Sequence, residues 1–392
     1  MTSSASISGA TPVPPPARID ELESIRGIAA LLVVIYHIPN WNSLLFDIPL
    51  FRNSYLMVQL FFVLSGFVIY KAYASNIRSS AQLLRFQFLR FGRLYPVHLL
   101  FLLVFLLLEV AKYFADTHYG IKSHKTTPFV ENGLTAFIQQ LFLVQAIGPT
   151  GNALSFNAPA WSISVEFYTY LIFGLIALFA GRLKMVVFLL LGVGACALLV
   201  AEPEHGYAHL LSCLAGFFIG CCTAWLSERL PLLFPLRLPS HSVTLSVLLL
   251  VVFLQLKTPH HWSDFVVYFL TAALVLAIVF SEDGIVRRVL RMRFFVWLGT
   301  ISYSIYMSHS ALLWLFNQVH RFFFQRSEIL IEGRMVPQLG FWQALLSYLI
   351  IIGLLLAVSH LVYRYVEQPW RERSRRTALK MPALPFGVRS IK

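Results

Sequence analysis

Long apolar runs alternate along this chain with short stretches rich in charged residues. A helix needs about 20 mostly apolar residues to cross a bilayer, and several runs approach that length. They lack the strict alternation of apolar and polar positions that marks a half-buried strand. The pattern predicts an all-α protein, a polytopic transmembrane helical bundle of about ten spans, over residues 27–43, 55–73, 93–114, 160–180, 185–201, 207–227, 242–257, 262–280, 295–317 and 342–364.

Three regions lie outside these spans. Residues 134–147 form a shorter apolar segment preceded by basic residues (Lys122, His124 and Lys125), and we expect an interfacial or re-entrant helix there. Residues 1–19 are rich in Ser, Pro and Ala and have no apolar signal-peptide core, which predicts a disordered tail. The transmembrane domain is predicted over 20–372, followed by a basic cytoplasmic tail, 373–392.

The basic residues between the spans predict the orientation of the bundle. With ten spans, the main basic stretches fall on the same side as both termini, and an excess of Lys and Arg marks the cytoplasmic side. The opposite side carries Glu202 and Glu204, although its loop 319–341 also holds three arginines. The basic stretches are 71–93, 181–184, 282–293 and the residues after 364.

Composition supports a membrane protein and narrows its partners. The 392 residues are 58% hydrophobic and 12% charged, whereas about 25% charged residues is usual in soluble domains. The net charge of +13 comes mostly from the short loops. We therefore expect contact with anionic membrane lipid and no nucleic-acid partner. The cysteines lie in apolar stretches without metal-ligand spacing, so no metal site is predicted.

The first span carries two ionisable residues, which are costly in lipid. Arg26 and His37 are eleven residues apart and share one helix face, about 16 Å apart along the axis. His37, in a cavity near mid-membrane, would be a natural general base. The alternatives are that Arg26 reaches the interface and that His37 merely ends the helix before Pro39.

Arginines also stand at the mouth of the third span. Arg90 and Arg93 share a helix face, and guanidinium groups match phosphate oxygens bidentately, which indicates a phosphate clamp. The alternative is that the two arginines only set the orientation of the protein in the membrane. Tyr95-Pro96 is expected at the start of that helix. In the second span, Ser65 either contacts a ligand or, with Gly66, allows close helix packing.

Later spans add three polar features. Glu166, in NAPAWSISVEFYTYL, needs an Arg, His or hydroxyl partner because an uncompensated carboxylate is expensive there. Glu166 either takes part in a functional site or forms a structural ion pair that holds helices together. Tyr303, Tyr306 and His309 form a polar stripe, in which His309 is either functional or a satisfied buried histidine. Near the end, Arg364 and Glu367 are expected to bond each other, and Pro369 to end the last helix.

Taken in order, these segments resemble the acyltransferase-3 family of membrane-bound acyltransferases over about residues 20–372. The matching elements are the Arg26-to-His37 pattern, FFVLSGFVI with Ser65 and Gly66, Arg90-Phe-Gly-Arg93 with Tyr95-Pro96, Trp161-Ser-Ile-Ser-Val-Glu166, the Ser-Tyr-Ser-Ile-Tyr segment ending at His309, and Tyr363-Arg-Tyr-Val-Glu367-Gln-Pro369.

The resemblance implies an O-acyltransferase in a bacterial inner membrane. It would move an acyl group, often acetyl, from cytoplasmic acyl-CoA to a hydroxyl of a carbohydrate, a lipid-linked glycan or a similar acceptor. Acyl-CoA would be a substrate, with no tightly bound cofactor. His37 would act as general base or acyl carrier, and Arg26 would steer CoA or stabilise negative charge. Glu166 would orient His37 or bind acceptor hydroxyls.

In the donor site, Arg90 and Arg93 would hold the CoA phosphates, and Ser65 is a candidate ligand contact. Without the resemblance, two other classes fit the same residues. A proton-coupled transporter also places His, Glu and Arg in its spans. A non-enzymatic membrane scaffold would tolerate loss of His37 and Glu166.

Overall fold

The computed structural model describes residues 19–121, 127–201, 206–258, 263–331 and 334–381, and nearly all of its regular structure is helical. The helices in the first half are α1 (Asp20–His37), α2 (Ser43–Phe46), α3 (Pro49–Arg52), α4 (Met57–Tyr73), α5 (Ser80–Tyr119), α6 (Leu134–Leu141), α7 (Trp161–Phe179) and α8 (Lys184–Ala201). Those in the second half are α9 (Ala208–Leu233), α10 (Ser242–Leu256), α11 (Val266–Phe280), α12 (Ile285–Leu290), α13 (Arg293–Thr300), α14 (Ser302–Gln318), α15 (Phe341–Val362) and α16 (Gln368–Lys380).

Short irregular turns extend several of these helices. Single 3₁₀ turns at 54–56, 158–160 and 181–183 lead into α4, α7 and α8, and π turns follow α14 and α15 at 319–323 and 363–367. An antiparallel hairpin of β1 (Glu328–Ile331) and β2 (Arg334–Pro337) pairs Ile329 with Val336. The sequence pattern did not predict this hairpin.

Each of the ten predicted apolar segments contains a helix among its described residues, and the multi-pass membrane character of the chain is confirmed. Within the described residues, six helical stretches are long and apolar enough to cross a bilayer. They contain α4, α5, α7, α8, α9 and α15 with α16. Helices α10 and α11 have 15 residues each, so the full count of ten spans stays a prediction.

Helix α5 is longer than its predicted span. The stretch 80–92, expected to be loop, is helical because Ser79 caps the helix by accepting from the Gln82 amide at 3.3 Å. Pro96 therefore lies inside a 40-residue helix, and the prediction that it marks the start was wrong. At the far end, Glu109 is buried and accepts hydrogen bonds from Lys112 and Asn132, which fixes the following loop to α5.

The last helix also continues past its predicted end. Pro369 occupies the first turn of α16, which continues directly from the π turn at 363–367, so the prediction that it ends the helix was wrong. Helix α16 runs through the predicted domain boundary at residue 372, and its Ser374 and Ala378 are buried. Residues 1–18, Lys122, His124, Lys125, Glu202 and Glu204 lie outside the described residues.

Close packing of α4 against α9 forms the centre of the bundle. A Cβ atom added at Gly66 would lie 1.8 Å from the carbonyl oxygen of Phe217, and one at Gly220 would lie 2.1 Å from that of Val63. Small residues allow such backbone approach between membrane helices. The packing role predicted for the Ser65-Gly66 pair is therefore confirmed at Gly66.

Candidate active site

Two histidines from distant parts of the chain lie against each other. His37 is the last residue of α1, His309 is in α14, and their ring centroids are 4.9 Å apart. His37 Nδ1 is 2.8 Å from the Val33 carbonyl oxygen, and His309 Nδ1 is 2.7 Å from that of Tyr306. A carbonyl oxygen only accepts, so each Nδ1 carries the hydrogen. In the neutral rings, each Nε2 then keeps its lone pair.

The two rings differ in their surroundings. His37 is exposed at the end of its helix, whereas His309 is 0% exposed. Within the described part of the chain, the buried Nε2 atom of His309 has no hydrogen-bond partner. An unpaired buried acceptor costs free energy, so His309 is only half satisfied by the protein around it.

Helix α14 presents the polar stripe predicted from its sequence. Tyr303, Tyr306 and His309 are all buried. The Tyr303 hydroxyl donates to the Leu94 carbonyl oxygen at 2.5 Å. The Tyr306 hydroxyl donates to the Pro159 carbonyl oxygen at 3.0 Å and accepts from Ser162 at 2.9 Å. These bonds fix the stripe against α5 and the start of α7.

Glu166 finds hydroxyl partners, one of the three kinds predicted for it. Its Oε1 accepts from Ser65 Oγ at 2.7 Å and from the Tyr170 hydroxyl at 2.5 Å, and these two hydroxyl oxygens are 2.8 Å apart. No described hydrogen bond joins Glu166 to His37. The structure therefore brings Glu166 together with Ser65, and the idea that Glu166 orients His37 has no contact to support it.

Arg90 is held in an aromatic cage. Its guanidinium carbon lies 5.4 Å from the Tyr73 ring centroid and 5.9 Å from those of Phe86 and Tyr170. Its Nη2 donates to the Tyr73 hydroxyl at 3.3 Å, while its buried Nε has no partner among the described residues. Through Tyr170, the cage adjoins the Ser65–Glu166 hydrogen bonds.

Arg93 and Arg26 lie near a different group, the buried carboxylate of Glu367. Both arginines lie within electrostatic range of Glu367, and Arg93 also lies within range of Glu23 and Glu166. Glu367 accepts from Ser304 Oγ at 2.9 Å and pairs with Arg371 at 3.5 Å.

The prediction that Arg364 and Glu367 bond each other was wrong. Arg364 is exposed and Glu367 is buried. The π turn at Tyr363–Glu367 inserts an extra residue per turn, so residues three apart no longer share a face.

The predicted residues thus fall into two groups. Arg26, Arg93, Arg90, Glu166 and Ser65 are linked through shared neighbours at one end, and His37 joins His309 at the other. Helix α1 connects the groups, because Arg26 and His37 stand about 16 Å apart along its axis. Sequence reasoning missed Tyr170 and Arg371. The spacing of Tyr170, four residues after Glu166, was a usable signal for the first of them.

Comparison with known proteins identifies the class. The sequence model of an acyltransferase domain matches residues 19–364. The chain belongs to the acyltransferase-3 family, and it is an acyltransferase that transfers groups other than aminoacyl groups. The family resemblance predicted from the motifs is confirmed.

Three curated relatives are similar to parts of the chain. Protein 2 in picA locus of Rhizobium radiobacter is 33% identical over 195 residues, which span 48% of this chain and 97% of the relative. Acyltransferase MdmB of Streptomyces mycarofaciens is 31% identical over 40% of this chain and 39% of its own length. Peptidoglycan O-acetyltransferase OatA of Listeria monocytogenes is 20% identical over 90% of this chain and 56% of its own length. No solved structure matches.

Proposed function

We propose that this acyltransferase moves an acetyl group from cytoplasmic acyl-CoA to a hydroxyl of a carbohydrate or similar acceptor. The observation that carries the proposal is the pairing of His37 with His309 at one end of α1, with half-buried arginines at the other. A relative whose name specifies O-acetyl transfer to peptidoglycan supports the reaction type. We place both termini in the cytoplasm, with ten spans across a bacterial inner membrane, on the positive-inside pattern.

The distance between the two groups suits this donor. The chain of pantetheine from phosphate oxygen to sulfur has about twelve bonds and, at about 1.2 Å per bond when extended, reaches about 14 Å. Phosphates held near Arg26 and Arg93 would therefore bring the thioester close to the histidines, about 16 Å away. The buried stripe of Tyr303 and Tyr306 runs between the same two ends.

The chemistry falls to His37 Nε2, whose lone pair follows from the Nδ1 hydrogen bond. As a general base, it takes the proton of the acceptor hydroxyl while that oxygen attacks the thioester carbonyl carbon. The carbon–oxygen bond forms, the carbon–sulfur bond breaks, and the proton passes to the departing thiolate. As an acyl carrier, the same Nε2 attacks the thioester carbon first; the nitrogen–carbon bond forms, the carbon–sulfur bond breaks, and the CoA thiolate leaves. The acceptor hydroxyl oxygen then attacks the acyl carbon, the nitrogen–carbon bond breaks, and the hydroxyl proton passes to the thiolate.

Glu166 has a positioning role in this scheme. Its bonds to Ser65 and Tyr170 hold the Tyr170 ring beside the Arg90 guanidinium. Ser65 is then a support for Glu166, and a direct contact to the donor is not needed to explain it.

The reaction itself is tested with membranes that contain or lack the protein, supplied with isotopically labelled acetyl-CoA. Free CoA should be released and label should enter cell glycans, as mass spectrometry detects, only where the protein is present. Equal labelling with and without the protein would contradict the proposal. Substrate flux without CoA release would favour a transporter.

Arg90→Ala should weaken acyl-CoA binding about ten-fold and leave the protein folded, because a charge-assisted contact to phosphate is worth about 1.5–3 kcal/mol. Binding to the purified protein is measured by calorimetry. Arg85→Ala is the matched control, since Arg85 is exposed on the same helix. Unchanged donor affinity in Arg90→Ala would remove Arg90 from the donor site.

A further inference from the structure

Helix α16 brings an unassigned arginine to the donor end of the site. A Cβ atom added at Gly92 would lie 1.8 Å from Ser374 Oγ, so α5 and α16 touch at this point. Arg93 directly follows Gly92, and Arg371 lies about one turn before Ser374. This contact therefore fixes Arg371 near Arg93, and the two guanidinium groups are close enough to repel each other.

A second arginine cluster in the same molecule shows what a purely structural pair looks like. Glu21 is buried and accepts from Arg287 Nε at 3.0 Å and from Arg291 Nε at 2.7 Å. Arg287 also donates to the Ser281 carbonyl oxygen, and Arg291 also donates to Asp283, at 2.5 Å each. Both guanidinium groups are well supplied with acceptors by the protein.

The arginines around Glu367 have fewer hydrogen-bond acceptors within the protein. Within the described part of the chain, Arg26 and Arg93 make no hydrogen bond, although both are half-buried. Arg371 makes a single contact of 3.5 Å to Glu367 Oε1, and its side chain is 27% exposed. Each guanidinium group has five N–H donors, so most donors of these three groups have no acceptor among the described residues.

An anion with several oxygens would meet this need. Guanidinium groups bind phosphate oxygens bidentately, and an anion would also screen the repulsion between Arg93 and Arg371. Glu367 is anchored by Ser304 at 2.9 Å and has Arg26, Arg93 and Arg371 as charged neighbours. One carboxylate attracts all three guanidinium groups, and the cluster keeps a net positive charge.

We propose that Arg371 of α16 completes, with Arg26 and Arg93, a binding site for the diphosphate of the nucleotide thioester donor, with Glu367 as its positioning residue. The identity of the ligand rests on the proposed function, whereas the anion site stands on the arginine geometry. Arg90, in its aromatic cage, lies outside this three-arginine site, so the donor contact proposed for it is with a phosphate group other than the diphosphate.

The test measures binding of two probes, CoA and inorganic pyrophosphate, to the purified full chain by calorimetry. In Arg371→Gln, affinity for both probes should fall about ten-fold or more, the cost of losing a charge-assisted contact. Arg373→Gln is the matched control, because Arg373 is exposed two residues along the same helix, and it should bind like wild type. If Arg371→Gln does not fold, Arg371→Lys is used instead. It keeps the positive charge but cannot bind phosphate bidentately, and it should show a smaller loss of affinity.

A double variant separates ligand binding from simple neutralisation of Glu367. In Arg371→Gln/Glu367→Gln no buried carboxylate is left unpaired, so restored wild-type affinity would overturn the proposal, as would unchanged affinity in Arg371→Gln. Persistent weak binding supports it. If wild type binds pyrophosphate through Arg371 but does not bind CoA, the anion site stands and the acyl-CoA proposal fails.

Discussion

His37→Ala should reduce acyl transfer by about 100- to 10,000-fold, the usual contribution of a general acid or base. The variant loses the contact with the His309 ring and the bond to the Val33 carbonyl oxygen, but the side chain is exposed at the end of α1, so we expect a small cost in stability. The variant should therefore fold and still bind the donor at the distant arginines. The measurement is the rate of CoA release in membranes. Because the position is open, added imidazole should restore part of the rate.

A matched control for this variant is His118→Ala. His118 is also an exposed histidine in the last turn of a helix, at the end of α5. Its loss should leave the rate unchanged. Wild-type activity in His37→Ala would contradict the assignment of His37 as base or carrier, and the chemistry would then belong to another residue.

Gly66→Ala should destabilise the folded protein by about 3 kcal/mol or more, at the upper end for overpacking. The new Cβ would lie 1.8 Å from the Phe217 carbonyl oxygen, and a backbone atom cannot move aside as a side chain can. Helices α4 and α9 would have to separate. Loss of the folded fraction is measured by size-exclusion chromatography of heated, detergent-solubilised protein.

Gly353→Ala is the control for Gly66→Ala. Gly353 is also a helical glycine, in α15, but a Cβ added there meets nothing within 4 Å. Because Ala is the better helix former by about 1 kcal/mol, this variant should be as stable as wild type or more so. Equal stability of the two variants would show that the α4–α9 contact yields easily.

The sequence predicts where the helices lie more accurately than where each helix begins and ends. Apolar runs locate α4, α7, α8 and α10 to within a residue or two because lipid demands apolar length. Hydropathy fails where a helix leaves the apolar region, as in the polar first turns of α5 and in α16. The prolines predict two helix boundaries wrongly, since Pro96 lies within α5 and Pro369 in the first turn of α16.

The sequence proposes candidate site residues one by one but does not indicate which of them lie together. The cost of ionisable groups in lipid singled out Arg26, His37 and Glu166. Which of them meet depends on helix packing, and His309 and His37 belong to helices far apart in the chain. The π turn before α16 defeated the spacing rule for Glu367, so Arg371 was overlooked.

Close backbone contacts surround the charged end of the site and limit how this enzyme can diverge. Besides the α5–α16 contact at Gly92, a Cβ atom added at Gly27 would lie 2.5 Å from the Gly299 amide, and one at Gly299 would lie 2.0 Å from the Glu23 carbonyl oxygen. Larger residues at these positions would push the guanidinium groups apart. Protein engineering aimed at new acceptors therefore has room mainly at the end near His37, and we expect the proposed donor end to tolerate few substitutions.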